Sequence, residues 1–314
     1  MNRAHLHQST NPPVCDYEGS AYRTDFWGQG REYEDAVERV ALHHLLPPAG
    51  HRFIEIGGGY GRLAPLYGGY DEVVLFDYAL SQLQQARELW GDAGPGGQPR
   101  YVYVAGDFYK LPFAPGLFDT VTMVRTLHHA ADAPAVLRGV AQILAPGGTF
   151  VLEFANKRNL KAILRYLVRR QEWSPFNQEP VEFVKLNFDF HPAWMRERLA
   201  EVGLRIRKMR TVSHFRLDLL KRLVPTGLLV PLDRLLQPTG ALWQLTPSVF
   251  VRCEGRADKP AAPPGAFFRC TVCGSTLLTL VDEEDVLSCT DCGARFAVRD
   301  GIYDFKAPLG GGAI

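Results

Sequence analysis

The chain has 314 residues, of which 46% are hydrophobic and 22% charged, and this composition is typical of globular protein. Its formal net charge of +1 gives no general preference for nucleic acid or a membrane, so any such surface has to be local. Residues 1–14 lack the apolar core of a signal peptide, and the longest uncharged span, residues 235–251, contains two prolines and is a poor membrane helix.

The first part of the chain, residues 1–46, is aromatic at its start and helical at its end. Val37, Val40, Ala41 and Leu45 follow a helical spacing, and Pro47 ends the pattern. The residues alone predict a helix packed on one edge of a sheet.

A glycine-rich turn follows, in the sequence FIEIGGGYGRL of residues 53–63. An apolar strand runs into glycines that allow positive φ and close approach of a ligand to the backbone. A dinucleotide-binding fingerprint needs a small residue where Arg62 stands, so this class of cofactor is disfavoured.

The pattern E-x-G-x-G-x-G, formed by Glu55, Gly57, Gly59 and Gly61, resembles the first motif of class I S-adenosylmethionine-dependent methyltransferases. The resemblance implies that the loop holds the methionine end of the cofactor and that Glu55 orients its amino group. It also implies an N-terminal lid over the cofactor, for which the expected residues are Tyr22, Trp27, Arg31 and Tyr33.

Two further strands carry acidic residues at their ends. Residues 72–78 form a continuous apolar strand ending at Asp77, whose carboxylate can accept both hydrogen bonds of a ribose diol. A helix from Ser81 leads to a third strand, residues 101–105. The resemblance implies that Asp107 and Phe108 bind the adenine of the cofactor. Tyr78 and Arg125 are also predicted to contact the cofactor.

The fourth strand, residues 118–124, is followed by two histidines. His128, at the carboxyl end of a parallel strand, is the candidate to orient a substrate or accept its proton. A helix from Asp132 and a fifth strand, residues 149–154, complete an alternation that predicts a doubly wound α/β sheet. The Asn/Asp-Pro-Pro-aromatic motif of exocyclic-nitrogen methyltransferases is absent from this strand end.

Two insertions are predicted, at about residues 156–200 and 212–246, capping a substrate pocket within a domain of residues 47–253. The stretch Lys157–Arg170 holds six cations and no acid beside an apolar stripe. It is either an amphipathic helix with a solvated basic face or a surface for RNA or anionic lipid. Strands at residues 204–211 and 248–253, the latter antiparallel, bring the predicted sheet to seven strands.

A Pro/Ala-rich linker, residues 254–265, leads to a tail, residues 266–306, with two C-x-x-C pairs. Cys270, Cys273, Cys289 and Cys292 have the spacing of a closed structural Zn²⁺ site, and cysteine used in this way predicts a reducing, cytoplasmic location. Cys15 and Cys253 are expected to be buried and unpaired. The tail resembles the small zinc-ribbon activators of tRNA, rRNA and release-factor methyltransferases.

The resemblance implies transfer of a methyl group from S-adenosylmethionine to an unidentified acceptor, either RNA or a small lipophilic molecule. The alternative is a catalytically silent module that keeps the fold and docks a partner through the zinc ribbon.

Overall fold

The computed structural model describes residues 12–20, 23–27, 30–92, 100–281 and 285–310. The strands are β1 (Gly50–Ile56), β2 (Tyr70–Asp77), β3 (Arg100–Ala105), β4 (Phe118–Met123), β5 (Leu144–Ala155), β6 (Val181–Val184), β7 (Asn187–Asp189), β8 (Arg205–Val212), β9 (Ser248–Glu254), β10 (Leu278–Val281), β11 (Val286–Cys289), β12 (Arg295–Arg299) and β13 (Ile302–Asp304). The helices are α1 (Glu32–Leu45), α2 (Leu80–Trp90), α3 (Ala133–Ile143), α4 (Leu160–Leu167), α5 (Pro192–Glu201), α6 (Asp218–Leu223) and α7 (Thr226–Leu236).

The central sheet confirms the predicted doubly wound α/β fold. Its strands lie in the order β3-β2-β1-β4-β5-β9-β8, and β1 to β5 are parallel. Strand β9 is antiparallel to both β5 and β8, as predicted. The continuous apolar runs of β1, β2 and β4 are buried because helices cover both faces of the sheet.

Local sequence signals fix the helices around this sheet. Helix α3 begins where the Asp132 side chain accepts a hydrogen bond from the Ala135 amide, with Pro134 in the first turn. Its apolar positions Val136, Val140 and Ile143 recur at helical spacing and are buried.

The two insertions contain the elements that cover one end of the sheet. Helix α4, the hairpin β6–β7 and helix α5 lie between β5 and β8, and α6 and α7 lie between β8 and β9. Helix α7 is joined to α1 by a buried hydrogen bond of 2.6 Å from the Tyr33 hydroxyl to Asp233. Among the described residues, no helix combines the length and apolar character needed to cross a membrane.

The cysteine-rich tail extends the sheet beyond the seven predicted strands. Strand β13 pairs in parallel with β3, so β10 to β13 continue the same sheet to eleven strands. Phe296 and Phe305 of the tail belong to the same buried cluster as Phe113 and Phe76 of the main domain. The tail therefore shares a hydrophobic core with the main domain.

Candidate functional site

The carboxyl ends of β1 and β4 form the point where strand order reverses, which is where open α/β sheets bind ligands. Beyond β1, the amides of Gly57 and Gly58 donate to the Phe76 carbonyl of β2 at 2.8 and 3.0 Å. Gly57 has a φ of +77°, and a Cβ there would lie 2.0 Å from the Thr126 hydroxyl oxygen. Glycine at this position is therefore required by both backbone conformation and packing.

A cavity of about 180 Å³ lies against this turn. The residues that line it lie at or just after the carboxyl ends of β1 to β4, in α2, in the N-terminal segment and in the β6–β7 hairpin. The lining residues are Cys15, Tyr17, Phe26, Gly57, Gly59, Phe76, Asp77, Tyr78, Gln82, Phe108, Arg125, Thr126, His128, His129 and Asn187. Of the predicted cofactor residues, Gly57, Gly59, Asp77, Tyr78, Phe108 and Arg125 are in this set, whereas Glu55, Gly61 and Asp107 are not.

The other two glycines of the E-x-G-x-G-x-G pattern have different environments. A Cβ at Gly59 would meet nothing within 4 Å, so this position leaves the cavity open. At Gly61, whose φ is +75°, a Cβ would lie 2.7 Å from the Trp90 indole nitrogen. Gly61 therefore allows the turn to pack on α2 and does not line the cavity.

Asp77 is half-buried at the end of β2 and lines the cavity. Its two carboxylate oxygens accept hydrogen bonds from the Gly59 amide at 2.8 Å and the Ala79 amide at 2.9 Å. Burial raises the pKa of Asp77, while these backbone donors act to lower it. A carboxylate has about four lone-pair positions, so two acceptor sites remain for a ligand.

Asp107 and Phe108 follow β3, directly beside β2. The Gly106 amide donates to the Asp77 carbonyl at 3.0 Å, so the two strand ends are in contact. Phe108 lines the cavity, whereas the Asp107 carboxylate accepts from the Tyr109 amide at 2.8 Å. The Lys306 ammonium of the tail lies 5.6 Å from the centre of the Tyr78 ring.

Glu55 lies in the core behind the glycine turn. Burial raises the pKa of Glu55 to about 8, which keeps the carboxyl protonated at neutral pH. In the described part of the chain, its Oε2 atom has no hydrogen-bond partner. The carboxyl group is thus neutral and lies in the core, where hydrogen bonding with the Tyr67 hydroxyl acts to lower its pKa.

The two histidines after β4 lie at the cavity and pack on one another, with ring centres 3.9 Å apart. His129 is fixed by the Tyr17 hydroxyl at 3.1 Å and the Leu186 carbonyl at 3.0 Å. Burial, together with the neighbouring His129 and Arg125, lowers the pKa of His128 well below its usual value. His128 is therefore neutral at pH 7 and a weaker base than an exposed imidazole.

Arg125 belongs to a buried ionic network that the sequence did not predict. Its Nε donates to Glu38 of α1 at 2.7 Å, and its amide donates to Glu153 at 2.9 Å. Arg62 also bonds Glu38, at 2.9 Å, and lies 3.8 Å from the centre of the Trp27 ring. Arg62 is the residue whose size argued against a dinucleotide-binding loop. Its contacts connect the N-terminal segment with the glycine turn.

The N-terminal segment packs beside the cavity. The Glu18 carboxylate accepts the amides of Leu80 at 2.7 Å and Ser81 at 3.1 Å, so it caps the start of α2. Of the four predicted lid residues, Tyr22 lies outside the described residues. Tyr33 is buried in the core, where its hydroxyl contacts Asp233, and does not line the cavity.

A larger groove of about 2150 Å³ lies between α4 and the segment after α7. Strand β7 connects it with the cavity, because Asn187 lines the cavity and Asp189 lines the groove. Burial is the main cause, and the nearby Glu153 charge the second, that raises the pKa of Asp189 to about 6. Lys157 was predicted to belong to the basic surface, but its side chain is buried and donates to the Glu179 carbonyl. It therefore does not contribute to a basic surface.

The four tail cysteines converge as predicted. Their sulfur atoms all lie within 4.8 Å of one another, with Cys270 and Cys292 at 3.7 Å and Cys273 and Cys289 at 3.6 Å. Tetrahedral Zn²⁺ with Zn–S bonds of about 2.3 Å separates its sulfurs by roughly 3.8 Å, so the set fits this ion. Cys253 is buried and unpaired, as expected, whereas Cys15 is half-buried at the cavity.

Residues 54–152 match a family model described as a methyltransferase domain. The chain is 27% identical over 155 residues to the O-methyltransferase cnsE of Penicillium expansum, covering 47% of this chain and 55% of that protein. It is 36% identical over 127 residues to the ubiquinone/menaquinone biosynthesis C-methyltransferase UbiE of Pseudomonas fluorescens, covering 39% of this chain and 49% of that protein. The chain thus spans about half the length of the curated relatives it matches.

Two solved structures share the fold. A chain from the complex of the Haloferax volcanii Trm112 methyltransferase activator with a methyltransferase has a TM-score of 0.50 at 20% identity, covering 75% of this chain and 96% of that one. An S-adenosylmethionine-dependent methyltransferase of Thermotoga maritima has a TM-score of 0.52 at 17% identity, covering 76% of this chain and 98% of that one. The predicted fold of class I S-adenosylmethionine-dependent methyltransferases is confirmed.

Proposed function

We propose that the chain is an S-adenosylmethionine-dependent methyltransferase whose cofactor binds in the cavity at the glycine turn. The observation that carries this proposal is the convergence of Gly57, Gly59 and Asp77 on one cavity at the switch point of a methyltransferase fold. The open space at Gly59 leaves room for a cofactor against the turn.

The residue roles follow from what each side chain offers. Asp77 has acceptor capacity left for ribose hydroxyls, Phe108 offers a flat apolar contact for adenine, and Asp107 lies on the adjacent strand end. Glu55, predicted to orient the amino group of the cofactor, lies in the core behind the turn. S-adenosylmethionine supplies an activated methyl group, so the protein mainly has to align the acceptor and exclude water.

His128 is our candidate general base for an acceptor that loses a proton. It lines the cavity, and its lowered pKa keeps it unprotonated over the physiological pH range while making it a weaker base than an exposed imidazole. Its partner His129 is held by two hydrogen bonds and fixes one side of the His128 ring.

For the acceptor, we favour a small molecule with an apolar body over RNA. The lining of the groove beside β7 includes six leucines and four aromatic residues, and strand β7 connects the groove with the cavity. The UbiE relatives are named for ubiquinone and menaquinone biosynthesis, which fits a lipophilic acceptor. Profiling of methylated lipids and RNA from a deletion strain distinguishes the two, because loss of an RNA methyl group alone contradicts this choice.

We also propose that the four-cysteine tail holds Zn²⁺ and supports the cofactor site from within the same chain. Strand β13 pairs with β3, the strand that leads into Asp107 and Phe108, and the Phe305 amide donates to the Ala105 carbonyl at 2.8 Å. The tail resembles activators that are separate subunits, and here it would support the cofactor site of its own chain. Its thiol ligands place the protein in a reducing compartment, for which the cytoplasm is our proposal.

The decisive experiment is calorimetric titration with S-adenosylhomocysteine. Wild-type protein should bind, and Asp77→Asn should bind at least about tenfold more weakly because it loses charge-assisted hydrogen bonds. Asp71→Asn, at an exposed position of the same strand, is the matched control and should bind like the wild type. His128→Gln should keep the affinity but lower cofactor turnover with cell extract.

Absence of binding by folded wild-type protein would contradict the proposal and favour the alternative, a silent module that docks a partner through the zinc ribbon. Equal binding by wild type and Asp77→Asn would remove Asp77 from the site.

A further inference from the structure

Two helices of the insertions expose a leucine stripe. Leu160, Leu164 and Leu167 of α4 follow the spacing i, i+4, i+7, and Leu228, Leu232 and Leu235 of α7 repeat it. All six side chains are between 49% and 74% exposed. A helix on the surface of a globular domain ordinarily turns such a stripe toward the core.

The outward direction of the α7 stripe is fixed by the opposite face of the helix. Asp233 is fully buried and accepts hydrogen bonds from the Tyr33 hydroxyl at 2.6 Å and the His214 amide at 2.8 Å. Gln237, one turn later, donates to the Val37 carbonyl at 2.9 Å. Because rotating α7 to bury its leucines would break these bonds, the exposure is built into the fold.

We call the exposed faces of α4, α6 and α7, together with the groove beside α4, the leucine surface; Leu236 at the end of α7 and Leu217 before α6 line that groove. The groove brings α4 together with Trp173, Phe183, Leu217 and Trp243. Most of the exposed large apolar side chains in the described ranges lie between Leu160 and Leu245. Exposed apolar surface of this extent marks an interaction site.

The charges beside the leucine surface are mainly positive. Lys161, Arg165, Arg169 and Arg170 are exposed on or just after α4, and the sequence from 155 to 171 contains no acidic residue. On α6 the exposed Asp218 lies 3.8 Å from Lys221, whereas Arg222 of α6 and Arg234 of α7 are exposed and add to the positive charge of α4. Cations beside leucines and tryptophan are the composition of helices that lie in the interface of an anionic membrane.

We propose that the leucine surface docks on an anionic phospholipid bilayer, with α4 and α7 lying in the headgroup region and their leucines entering the acyl boundary. The cations of α4 then meet lipid phosphates. RNA would use the same cations but would leave two stripes of leucine in water, so the bilayer accounts for more of the surface. This inference is independent of methyl transfer.

Vesicle flotation of the full chain tests the proposal. Binding is expected to vesicles of phosphatidylcholine containing roughly one-third phosphatidylglycerol, and to weaken in pure phosphatidylcholine. The double variants Leu232→Ser/Leu235→Ser and Lys161→Glu/Arg165→Glu should each bind at least about tenfold more weakly. Leu89→Ser on α2 and Arg138→Glu on α3, both at exposed positions elsewhere, are the controls and should bind like the wild type.

Thermal unfolding of each variant confirms that it is folded before its binding is interpreted. The proposal is overturned if wild-type protein does not float with anionic vesicles, or if the two double variants bind as well as the controls do. A third outcome also overturns it: the wild type binds RNA but not vesicles, and only the charge variant loses RNA binding. A fourth is that the wild type is a dimer and the serine variant a monomer, with no change in vesicle binding.

Discussion

At the scale of single residues, two carboxyl groups flank the glycine turn in different surroundings. Asp77 has backbone donors on both oxygens, whereas Glu55 has one oxygen without a partner among the described residues. Burial is the larger influence on both and raises the pKa of each. Asp77 therefore presents fixed acceptor oxygens to the cavity, whereas Glu55 is a neutral group of the core.

Glu55→Gln should change the pH dependence of stability. The pKa of Glu55 is about 8 in the folded protein and near 4.5 in the unfolded chain, so the unfolded chain releases this proton first as pH rises. The group therefore stabilises the fold below pH 4.5, and this stabilisation is lost progressively up to about pH 8, at about 1.4 kcal/mol per pKa unit. Urea unfolding at several pH values should show a smaller decline for Glu55→Gln than for the wild type. The exposed change Glu88→Gln is the control, and an identical decline in all three proteins would contradict the buried, protonated state.

At the scale of secondary-structure elements, the contact of β13 with β3 is the feature that couples the tail to the candidate cofactor site. Strand β3 would otherwise be an edge with unpaired backbone groups. The pairing runs from Ile302 opposite Tyr103 to Asp304 opposite Ala105, and Phe268 stacks on Phe113 at 6.1 Å. Because Asp107 and Phe108 directly follow β3, a contact that fixes β3 also fixes these two residues.

Removing Zn²⁺ should loosen β3 before it affects distant strands. Without metal the four-cysteine tail has little core of its own, so β13 should detach from β3. Hydrogen exchange of the amides of residues 101–105 should accelerate on chelation, and affinity for S-adenosylhomocysteine should fall at least about tenfold. Strand β9, at the other side of the sheet, is the internal control, and added Zn²⁺ should restore both measurements. Unchanged exchange in β3 after complete loss of metal would separate the tail from the site.

The sequence predicted the elements whose signals are local and missed contacts between distant segments. Continuous apolar runs identified β1 to β5, and the cysteine spacing identified the metal ligands, because each signal lies within a few residues. The pairing of β13 with β3 leaves no local signal, since any exposed edge could receive a strand. The burial of Tyr33 against Asp233, and of Lys157 against Glu179, likewise depends on packing across the fold.

At the scale of the whole molecule, the shared core makes the main domain and the tail a single cooperative unit. Cys270, Cys289 and Phe296 belong to the buried cluster that contains Ile54 and Phe76, and Ala114 donates to the Phe267 carbonyl at 2.9 Å. A linker joining two independent domains would show few such contacts. The predicted division at residues 254–265 stays a prediction, and it can be tested by asking whether the two parts unfold together.

Equilibrium urea unfolding can be followed separately in the two parts of the chain. All five tryptophans lie before the tail, so their fluorescence reports the main domain, while a chromophoric chelator reports metal release from the tail. Because the two parts share one core and one sheet, both signals should change with the same midpoint. Phe305→Ala removes a ring that packs on Phe268 and Phe296, at 5.0 and 4.6 Å, and should release the metal at lower urea than the fluorescence change. Two separate midpoints in the wild type would mean that the tail folds independently and that support of the cofactor site through β3 is not obligatory.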